Sequence, residues 1–577
     1  MKSTDHSDLG GRHQGGNTGR NWAIAIIIGG LFVASAILTA WLTAGAPWRD
    51  RNQVIMLIDA ELAPAKMDIR DQSAHLGIDL HIEQVDKQTA ITAIASGAAD
   101  LALLSEQPPG LDGFVVANRY PVLAVPFLHP LQDITSQTAR EILAAIDAQI
   151  MVQGENFEVR LPGPGQEQPK APADLEANHI LVGERINLGP GWRALSIDGV
   201  SPYGHDLEAG RYPLQQPLWL VERPTHRGIM APILERRRFP NRDAVASLTA
   251  WLQGDGKALM QGDEPCLSLT AVGDIMLGRA VERRITEFGA DYPFMRVTPY
   301  LQRSDVTFAN LESPLGTGGT PIPGKGIWFR ADPALAATMA EAGIDAVTLA
   351  NNHILDYDSE LLLETLDALH ESGITYCGAG RNTDEAHRPL IINHNGVRLA
   401  FLGYSQFGDL FWSWEYNRSF AAGPDLPGVA CLGREHLAQI KTDINKARAE
   451  ADVVIVACHW GDEYVEMPNE EQRYLAHALA DAGADLILGS HPHAIQGFEY
   501  YQGTVIVYSL GNFIMDQARP VTCRSMILEA QITPQGINSL SVTPAIINEC
   551  QPYVPEGAEY YELADRIRRI SRPLVTQ

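Results

Sequence analysis

The chain has 577 residues, of which 45% are hydrophobic and 20% are charged, and this composition excludes a wholly disordered protein. Its length exceeds what one hydrophobic core supports, so two or three domains are expected. The formal net charge of −26 argues against non-specific binding to nucleic acid or to anionic lipid surfaces, although a locally positive cleft for an anionic substrate stays open.

The first predicted element is a membrane-spanning helix. Residues 22–46 carry no charged side chain and are long enough to cross a bilayer. Basic residues flank both ends, so the positive-inside rule favours a cytoplasmic tail at residues 1–21 only weakly. A cleaved signal peptide is the alternative, with "AGA" at 44–46 as the cleavage site, but the apolar run is long for that role. In either case residues 50–577 are expected outside the cytoplasm, and the favoured form is a single-pass protein of the cell membrane.

Residues 52–260 are predicted to form an α/β domain. Strands are indicated by "QVIMLID", "LALLSE" and "YPVLAVPFL", and helices by "KQTAITAIASGAAD" and "SQTAREILAAI". This order resembles the phosphate-type periplasmic solute-binding proteins, which hold an anion with hydroxyls and backbone amides at helix N-termini. The first turn here, "DAELAPAKMD", lacks the expected hydroxyl pair. A degenerate module with a docking role, a functioning receptor and a small-anion sensor that regulates the second domain remain as alternatives.

A second α/β domain is predicted over residues 263–550, followed by a C-terminal tail at 551–577. The Pro-, Gly- and Gln-rich stretch 161–178 indicates a loop or linker, and the change of character at 252–266 marks the domain boundary. No cysteine pair has CxxC spacing, which argues against a thiolate zinc site. An extracytoplasmic location permits disulfide bonds, but the sequence does not determine which cysteines would pair. The six cysteines are Cys266, Cys377, Cys431, Cys458, Cys523 and Cys550.

Six apolar, β-branched-rich runs in the second domain each end in residues that bind metal or move protons. Ligands of α/β sheets bind beyond the carboxyl ends of strands, so these residues are expected in one cleft. Imidazole, carboxylate and amide oxygen together suit Mn, Zn or Fe, and two such ions about 4 Å apart activate water for displacement at phosphorus. The strand-end residues are Asp274, Asn310, Glu312, Asn351, Asn352, His353, His459, His491, His493, Ser509 and Asn512.

Each of these motifs has an ordinary structural explanation. A "GD" after a strand is usually a turn, "NNH" could be a capped loop, and the Trp of "HWG" could simply cover the core. Their occurrence together, in order and at strand ends, favours a metal site, in which Pro492 stiffens the turn between His491 and His493. The histidines elsewhere in this domain are predicted to be surface residues: His370, His387, His394, His436 and His477.

The motifs "AVGDIMLGR", "ANLESPL", "LANNHILDYD", "HWGDEY", "GSHPHAIQG" and "YSLGNF" make residues 267–518 resemble the CapA-type capsule (poly-γ-glutamate) synthesis family. That family's domain is related to the calcineurin-like metallophosphoesterases. The resemblance implies a membrane-anchored, extracytoplasmic protein linked to making or exporting γ-linked glutamate polymer. The implied partners are the membrane, an anionic polymer or phosphoester substrate and capsule synthase subunits, and not nucleic acid.

The resemblance also implies roles for individual residues. One or two divalent ions, Mn, Zn or Fe, would be held by Asp274, Glu312, Asn352, His459, His491 and His493. His353 would be the general acid and Asp274 would share in catalysis. Substrate contacts are predicted for Arg279, Asn310, Arg330 and Asn512, and Lys325 could help to hold an anion.

One position departs from the metallophosphoesterase pattern. Met276 stands where those enzymes have the histidine of Asp-x-His, and a thioether is a poor ligand for a hard divalent ion. The domain would then use one metal, use two with weaker affinity, or have lost hydrolysis. Two hypotheses follow: a metal-dependent hydrolase acting on an anionic capsule-type polymer, and a non-catalytic membrane component that binds the polymer or a synthase.

Overall fold

The computed structural model of the chain describes most of residues 52–575. The described ranges are 52–59, 73–145, 148–161, 178–185, 188–203, 210–224, 241–253 and 265–575. The predicted membrane-spanning segment 22–46 and most of the predicted linker 161–178 lie outside them. Within these ranges, the structure contains no helix long and apolar enough to span a bilayer.

The chain divides into two compact units, and each unit is formed by two separate segments of the sequence. The first unit comprises residues 1–118 and 217–261, and the second comprises 119–216 and 262–577. The unit boundary at Gly262 coincides with the predicted change near that residue. The single domain predicted over 52–260 is divided, however, because residues 119–216 belong to the second unit.

The first unit is built on a five-stranded sheet with the order β2-β1-β3-β12-β4. Alternate residues of β1 point to opposite faces, as the two-residue period of a strand requires. Ile55 and Leu57 pack with helix α1, and Val54 and Met56 pack with helix α3. The elements are β1 Gln53–Asp59, a 3₁₀ turn Ser73–Leu76, β2 Asp79–Val85, α1 Lys87–Ser96, β3 Leu101–Leu104, β4 Gly113–Arg119, β12 Gln216–Glu222 and α3 Arg242–Gln253.

Residues 119–216 form a smaller sheet with the order β10-β5-β9-β8-β7, beside the two-stranded pair β11-β6. Buried hydrogen bonds join this part to the main body of the second unit. The amide Nδ2 of Asn538 donates to Arg185 O at 2.7 Å, and the hydroxyl of Ser539 donates to Trp192 O at 3.2 Å. The elements are β5 Pro121–Pro126, β6 Asp133–Ile134, α2 Ser136–Ala144, β7 Gln149–Val152, β8 Glu155–Arg160, β9 His179–Glu184, β10 Trp192–Ala194 and β11 Ser196–Ile197.

The main body, residues 265–575, contains two large sheets. The first has the order β16-β15-β14-β13-β26-β27-β28, with β25 paired to β13. Its strands are β13 Leu267–Ile275, β14 Val306–Leu311, β15 Ala346–Thr348, β16 Thr375–Cys377, β25 Asn512–Ile514, β26 Arg524–Thr533, β27 Gly536–Asn548 and β28 Gln551–Tyr553. The second has the order β18-β19-β21-β22-β24-β23. Its strands are β18 Leu390–His394, β19 Val397–Ser405, β21 Val453–His459, β22 Leu486–Ser490, β23 Ile495–Tyr501 and β24 Thr504–Leu510, and a short pair joins β17 Ala379–Gly380 to β20 Gly428–Val429.

Helices cover the outer faces of the two sheets, which gives four layers. Phe308 of the first sheet stacks on Phe401 of the second in the shared core, with ring centroids 4.7 Å apart. The neighbouring Leu402 points the other way, toward α9 and α10. The helices are α4 Arg279–Phe288, α5 Thr298–Leu301, α6 Leu335–Ala342, α7 Asp358–Glu371, α8 Thr383–Ala386, α9 Leu437–Glu450, α10 Glu470–Asp481 and α11 Gly557–Val575, with a 3₁₀ turn Arg434–His436.

These layers confirm the predicted α/β class and correct one detail. The six strand-end motifs come from two sheets packed face to face, an arrangement that the sequence did not predict. The predicted tail at 551–577 is wrong, because β28 and helix α11 are part of the folded body. Leu563 and Ile567, one helical turn apart, are buried in the shared core, and the hydroxyl of Ser571 accepts the backbone N–H of Phe498 at 3.0 Å.

One glycine lets two strands approach closely beside the predicted site. A Cβ added at Gly273 would overlap the carbonyl oxygen of Gly511, which accepts the backbone N–H of Asp274 at 3.1 Å. This backbone contact brings the end of β13 against the turn between β24 and β25. The substitution Gly273→Ala is therefore expected to destabilise the protein by about 3 kcal/mol, because neither backbone can move without breaking its sheet.

Urea unfolding of the two proteins measures this effect. The matched control is Gly326→Ala, since a Cβ there meets no atom within 4 Å. Equal unfolding midpoints for Gly273→Ala and Gly326→Ala would contradict the close-approach explanation.

Candidate metal centre

The predicted metal ligands lie together at the strand ends of the two sheets. Asp274, at the end of β13, is in register with Asn310 of β14 and with Asn512 of β25. In the second sheet, His459 of β21 is in register with Ser490 of β22, directly before the histidine turn. All six predicted ligands are buried, and the most exposed, Asn352, retains 8% of its accessible surface. The structure thus brings the whole predicted set into one buried cluster.

The ligands form two triads that share Glu312. The first is Glu312, His459 and His491, and the second is Asp274, Glu312 and His493; the donor atoms within each triad lie within 4.8 Å of one another. Glu312 Oε1 is 3.5 Å from His459 Nε2, and Glu312 Oε2 is 3.9 Å from His493 Nδ1. Because each oxygen faces a different triad, Glu312 has the position of a bridging carboxylate. Asn352 joins the first triad, its Oδ1 lying 2.8 Å from His459 Nε2.

The carboxylate of Glu312 is buried, and neither of its oxygens has a hydrogen-bond partner among the residues that the structure describes. Burial raises its pKa well above the usual range, and the nearby negative charge of Asp274 adds to the effect. A buried carboxylate without partners is costly for a fold, and cations are the groups that compensate such a charge. The donor set and the unpartnered carboxylate therefore fit one or two divalent ions.

The turn that carries His491 and His493 has a left-handed backbone at both histidines. Their φ angles are +93° and +52°, in a region that residues other than glycine seldom adopt. Such conformations persist where the surrounding structure enforces them and concentrate at functional sites. Here they direct both imidazoles to the same cluster, on either side of Pro492. His493 is further fixed by a 2.8 Å hydrogen bond between its Nδ1 and Asn512 Oδ1.

The imidazoles differ in their pKa because they face different neighbours. Burial lowers the pKa of His459 and of His491 well below the usual range, and the neighbouring histidines lower both further. Burial also lowers the pKa of His493, but the carboxylates of Glu312 and Asp274 outweigh it and raise the pKa to about 9. Neutral imidazole is the form that ligates a metal, so His459 and His491 are ready to bind, whereas His493 must release a proton.

The predicted catalytic histidine, His353, is held by a second buried group. Its ring stacks on Phe329 at 3.8 Å, and its Nδ1 lies 2.7 Å from Asp356 Oδ2. Lys325 is hydrogen-bonded to Asp356 and to the carbonyl oxygen of Asn352. Burial lowers the pKa of His353 well below its usual range, and the positive charge of Lys325 lowers it further. Burial raises the pKa of Asp356 to about 7, although Lys325 acts in the opposite direction. Because Nδ1 is bonded, the other nitrogen, Nε2, is the one left for proton exchange.

Two of the four predicted substrate residues are hydrogen-bonded to predicted metal ligands. Asn310 Nδ2 donates to Asp274 Oδ1 at 2.8 Å, and its own oxygen accepts from Asn351 at 3.1 Å. The oxygen of Asn512 is bonded to His493, and its Nδ2 donates to Thr522 O at 3.0 Å. Both amides are hydrogen-bonded within the protein, in contacts that fix the orientation of Asp274 and His493, and their predicted substrate contacts stay a prediction.

The two predicted arginines lie in different places. The side chain of Arg279 is 44% exposed, lies 5.4 Å from the Phe329 ring and pairs with Asp516 at 3.2 Å. Its positive charge also lowers the pKa of His353, after the larger effects of burial, Lys325 and His493. Arg330 is exposed, lies over the ring of Tyr357 and donates to Thr317 O.

Several supporting residues were not predicted from the sequence. Asp356 lies three residues after His353. Catalytic histidines are often oriented by a carboxylate, so this spacing could have predicted the role of Asp356. No sequence motif indicated Phe407, whose ring centre lies 4.1 Å from that of His491. Lys325, named from the sequence only as a residue that could hold an anion, is buried beside His353 and Asp356. Met276 is fully buried among apolar side chains, and its sulfur accepts the N–H of Gly278, so it supplies no donor to either triad.

Comparisons with known proteins match the same part of the chain. The family model "Bacterial capsule synthesis protein PGA_cap" matches residues 268–517. The "Capsule biosynthesis protein CapA" of Bacillus anthracis is 36% identical over 50% of this chain and 69% of its own length. The "PGA biosynthesis protein CapA" of Bacillus subtilis (strain 168) is 35% identical over 50% of this chain and 73% of its own length.

Solved structures give weaker similarities. An ABC-type phosphate transport receptor from Vibrio cholerae aligns with 34% of this chain and 98% of its own at 12% identity and a TM-score of 0.24. The reduced form of OxyR aligns with 35% of this chain and 97% of its own at 13% identity and a TM-score of 0.21. TM-scores this low carry no argument about the first unit, so its resemblance to solute-binding proteins stays a prediction.

The unpartnered carboxylate of Glu312 makes a prediction about metal-free protein. Glu312→Gln keeps the shape of the side chain and removes its charge, so after chelator treatment the variant is expected to be more stable than the parent by about 1–3 kcal/mol. Thermal unfolding of both proteins in chelator measures the difference. The control is Glu499→Gln, because that buried carboxylate is hydrogen-bonded to Tyr508 and His477 and its loss is expected to destabilise. A lower melting temperature for Glu312→Gln would contradict the bridging assignment.

Proposed function

The chain belongs to the CapA-type family of bacterial capsule (poly-γ-glutamate) synthesis proteins, and from this premise we propose that its second unit is a metal-dependent hydrolase. The proposed substrate is a phosphoester or an anionic γ-linked glutamate polymer. One observation carries the proposal: a buried carboxylate without hydrogen-bond partners, Glu312, lies between two triads of metal-binding side chains.

The proposed ligands divide into two sets around Glu312. Asp274 and His493 would complete one set, and His459, His491 and Asn352 the other. The mixture of nitrogen and oxygen donors favours Mn, Zn or Fe over Ca or Mg. When bound there, such ions supply Lewis-acid activation of water and of a phosphoryl or carbonyl oxygen. Asn310 and Asn512 would hold Asp274 and His493 in the orientation that this requires.

His353 would transfer a proton at Nε2 to the leaving group. Its Nδ1 is bonded to Asp356, which fixes the plane of the ring, and Phe329 covers one face of it. A ring held in this way presents one nitrogen in one direction, as general acid–base catalysis requires. Arg279, partly exposed beside Phe329, would orient an anionic substrate at the same edge.

The proposal includes a location outside the cytoplasm. Residues 22–46 would anchor the chain as a single span, with both folded units on the far side of the membrane. The names of the relatives support this setting, since they refer to capsule or polyglutamate synthesis. Synthase subunits and the polymer itself are the proposed partners. A chain with a net charge of −26 would need local positive groups such as Arg279 to hold a polyanion.

A second candidate function is supported by Met276. This residue supplies no donor where metallophosphoesterases have a histidine, because its side chain lies in the apolar core. A site with fewer donors binds metal more weakly. The rival function is therefore a non-catalytic component that binds the polymer or a synthase, with the metal centre as a structural or binding element.

Metal content separates the metal site from a chance cluster of histidines. Full-length protein in detergent is expected to retain one or two transition-metal ions after dialysis, and His491→Ala/His493→Ala is expected to lose them, because each triad loses a ligand. Elemental mass spectrometry measures the content. The matched control is His370→Ala/His394→Ala, which removes two histidines outside the triads. Folded parent protein without metal would overturn the proposal.

Variants of His353 separate the hydrolase from the binding component. His353→Asn is expected to retain the metal of the parent and to lose hydrolysis of a model phosphodiester or γ-glutamyl substrate by about 10²–10⁴-fold, because only proton transfer is removed. Initial rates and metal content are measured on the same samples. Arg398→Ala, whose exposed side chain pairs with Asp452 and has no predicted role in the site, serves as the control with unchanged rate. A metal-loaded parent without activity on either substrate class would favour the non-catalytic function.

A further inference from the structure

A further group of metal-binding side chains lies outside the two triads. In the described part of the chain, Asp409, Cys431 and His436 place one donor atom each within 4.8 Å of one another. The sulfur of Cys431 is 3.4 Å from Asp409 Oδ1, and His436 Nε2 is hydrogen-bonded to Asp409 Oδ2. A thiol, an imidazole and a carboxylate meet here at one point.

The three donors come from separate segments that the fold holds together. Asp409 lies in the loop after β19, Cys431 follows β20, and His436 ends the 3₁₀ turn Arg434–His436. The backbones of Ser405 and Cys431 are bridged, which ties the loop to the strand. Gly408 allows the close approach, because a Cβ there would lie 2.5 Å from the sulfur of Cys431. The convergence is therefore built by backbone contacts and does not depend on flexible side chains alone.

The sulfur–carboxylate separation of 3.4 Å between Cys431 and Asp409 fits a tetrahedral ion. Zinc binds sulfur at about 2.3 Å and nitrogen or oxygen at about 2.0–2.2 Å, which places neighbouring donors about 3.4 Å apart. Cys431 is buried, whereas Asp409 is exposed and His436 is partly exposed, so one side of the group faces solvent. Glu435 lies on that side, with Oε1 3.8 Å from His436 Nε2, and supplies a further oxygen.

We propose that Asp409, Cys431 and His436 form a separate binding site for a thiophilic transition-metal ion of the zinc class, completed by Glu435 or water. The ion would fix the loop that follows β19. That loop carries Phe407, whose ring centre lies 4.1 Å from that of His491 and 5.9 Å from that of His459. The second site would thus hold the aromatic cover of the first triad in place.

The alternative is a hydrogen-bonded group without metal. In that case His436 and Asp409 form a partly exposed ion pair, and the thiol of Cys431 donates to the same carboxylate. Burial and the negative charge of Asp409 raise the pKa of this thiol, so it stays protonated unless a cation stabilises the thiolate. The two cases differ in one observable, a sulfur–metal bond.

Cobalt reports that bond directly. Full-length protein in detergent and reductant, stripped with chelator and reloaded with Co²⁺, is expected to show thiolate-to-cobalt charge-transfer absorption. The absorption should disappear in Cys431→Ser and in His436→Ala. It should persist in His491→Ala/His493→Ala, because the two triads contain no sulfur donor. Bound Co²⁺ should fall by one ion per chain in Cys431→Ser and His436→Ala.

Two controls keep the result interpretable. Cys266→Ser removes another thiol, one that contacts Gln531 at 3.6 Å and belongs to no donor group, and should leave the absorption unchanged. His436→Ala changes a partly exposed side chain, so it tests the site even where Cys431→Ser fails to fold. As a second measurement, Zn²⁺ should slow alkylation of Cys431 by iodoacetamide in the parent and have no effect in His436→Ala.

The proposal is overturned by folded parent protein without the charge-transfer absorption, or by absorption that survives both Cys431→Ser and His436→Ala. Zn²⁺-independent alkylation of Cys431 in the parent would also overturn it and leave the hydrogen-bonded group as the explanation. Since the sulfur signal is separate from the metal content of the triads, failure here leaves the proposed hydrolase site untouched.

Discussion

The structure around the candidate centre depends on one buried negative charge. Glu312 has lost its contact with water and receives no hydrogen bond in exchange, so its environment must supply positive charge by other means. Among the described residues, His493, with a raised pKa, and Lys325 oppose the charge most strongly. The strained histidine turn, the amides of Asn310 and Asn512 and the close strand contact at Gly273 all serve to keep nitrogen and oxygen donors around this carboxylate.

Much of this arrangement could be predicted from the sequence because it follows strand periodicity. Apolar runs that end in Asp274, Glu312, His459 and His491 predict polar groups at the carboxyl ends of buried strands, and the structure has those groups there. The division into two sheets could not be predicted in the same way. Both faces of β19 and β21 are apolar, so the pattern cannot tell which face meets a helix and which meets another sheet. Contacts between residues far apart in the sequence determine which face meets which layer. Such contacts also determine the burial of Lys325 and the position of Phe407.

The errors in domain organisation have the same cause. Residues 119–216 contain ordinary strand and helix signals, and nothing local indicates that they join the second unit through Asn538 and Ser539. The C-terminal segment was predicted as a tail, because the helical spacing of Leu563 and Ile567 does not by itself indicate which surface the helix packs against. The local sequence pattern thus predicts the helices and strands well. It predicts which of them lie together only where their ends carry residues of one chemical site.

The two sheets contribute to each half of the candidate centre. Asp274 and His493 are on opposite sheets, and the histidine turn lies 217 residues from Asp274 along the chain. An ion shared by such ligands acts as a removable cross-link that closes a very long loop of the unfolded chain. Ligands that bind only the native state also add to its stability in proportion to their affinity. The proposed centre would therefore couple the supply of metal to the lifetime of the folded protein, so that scarcity of the ion reduces the amount of protein in the cell.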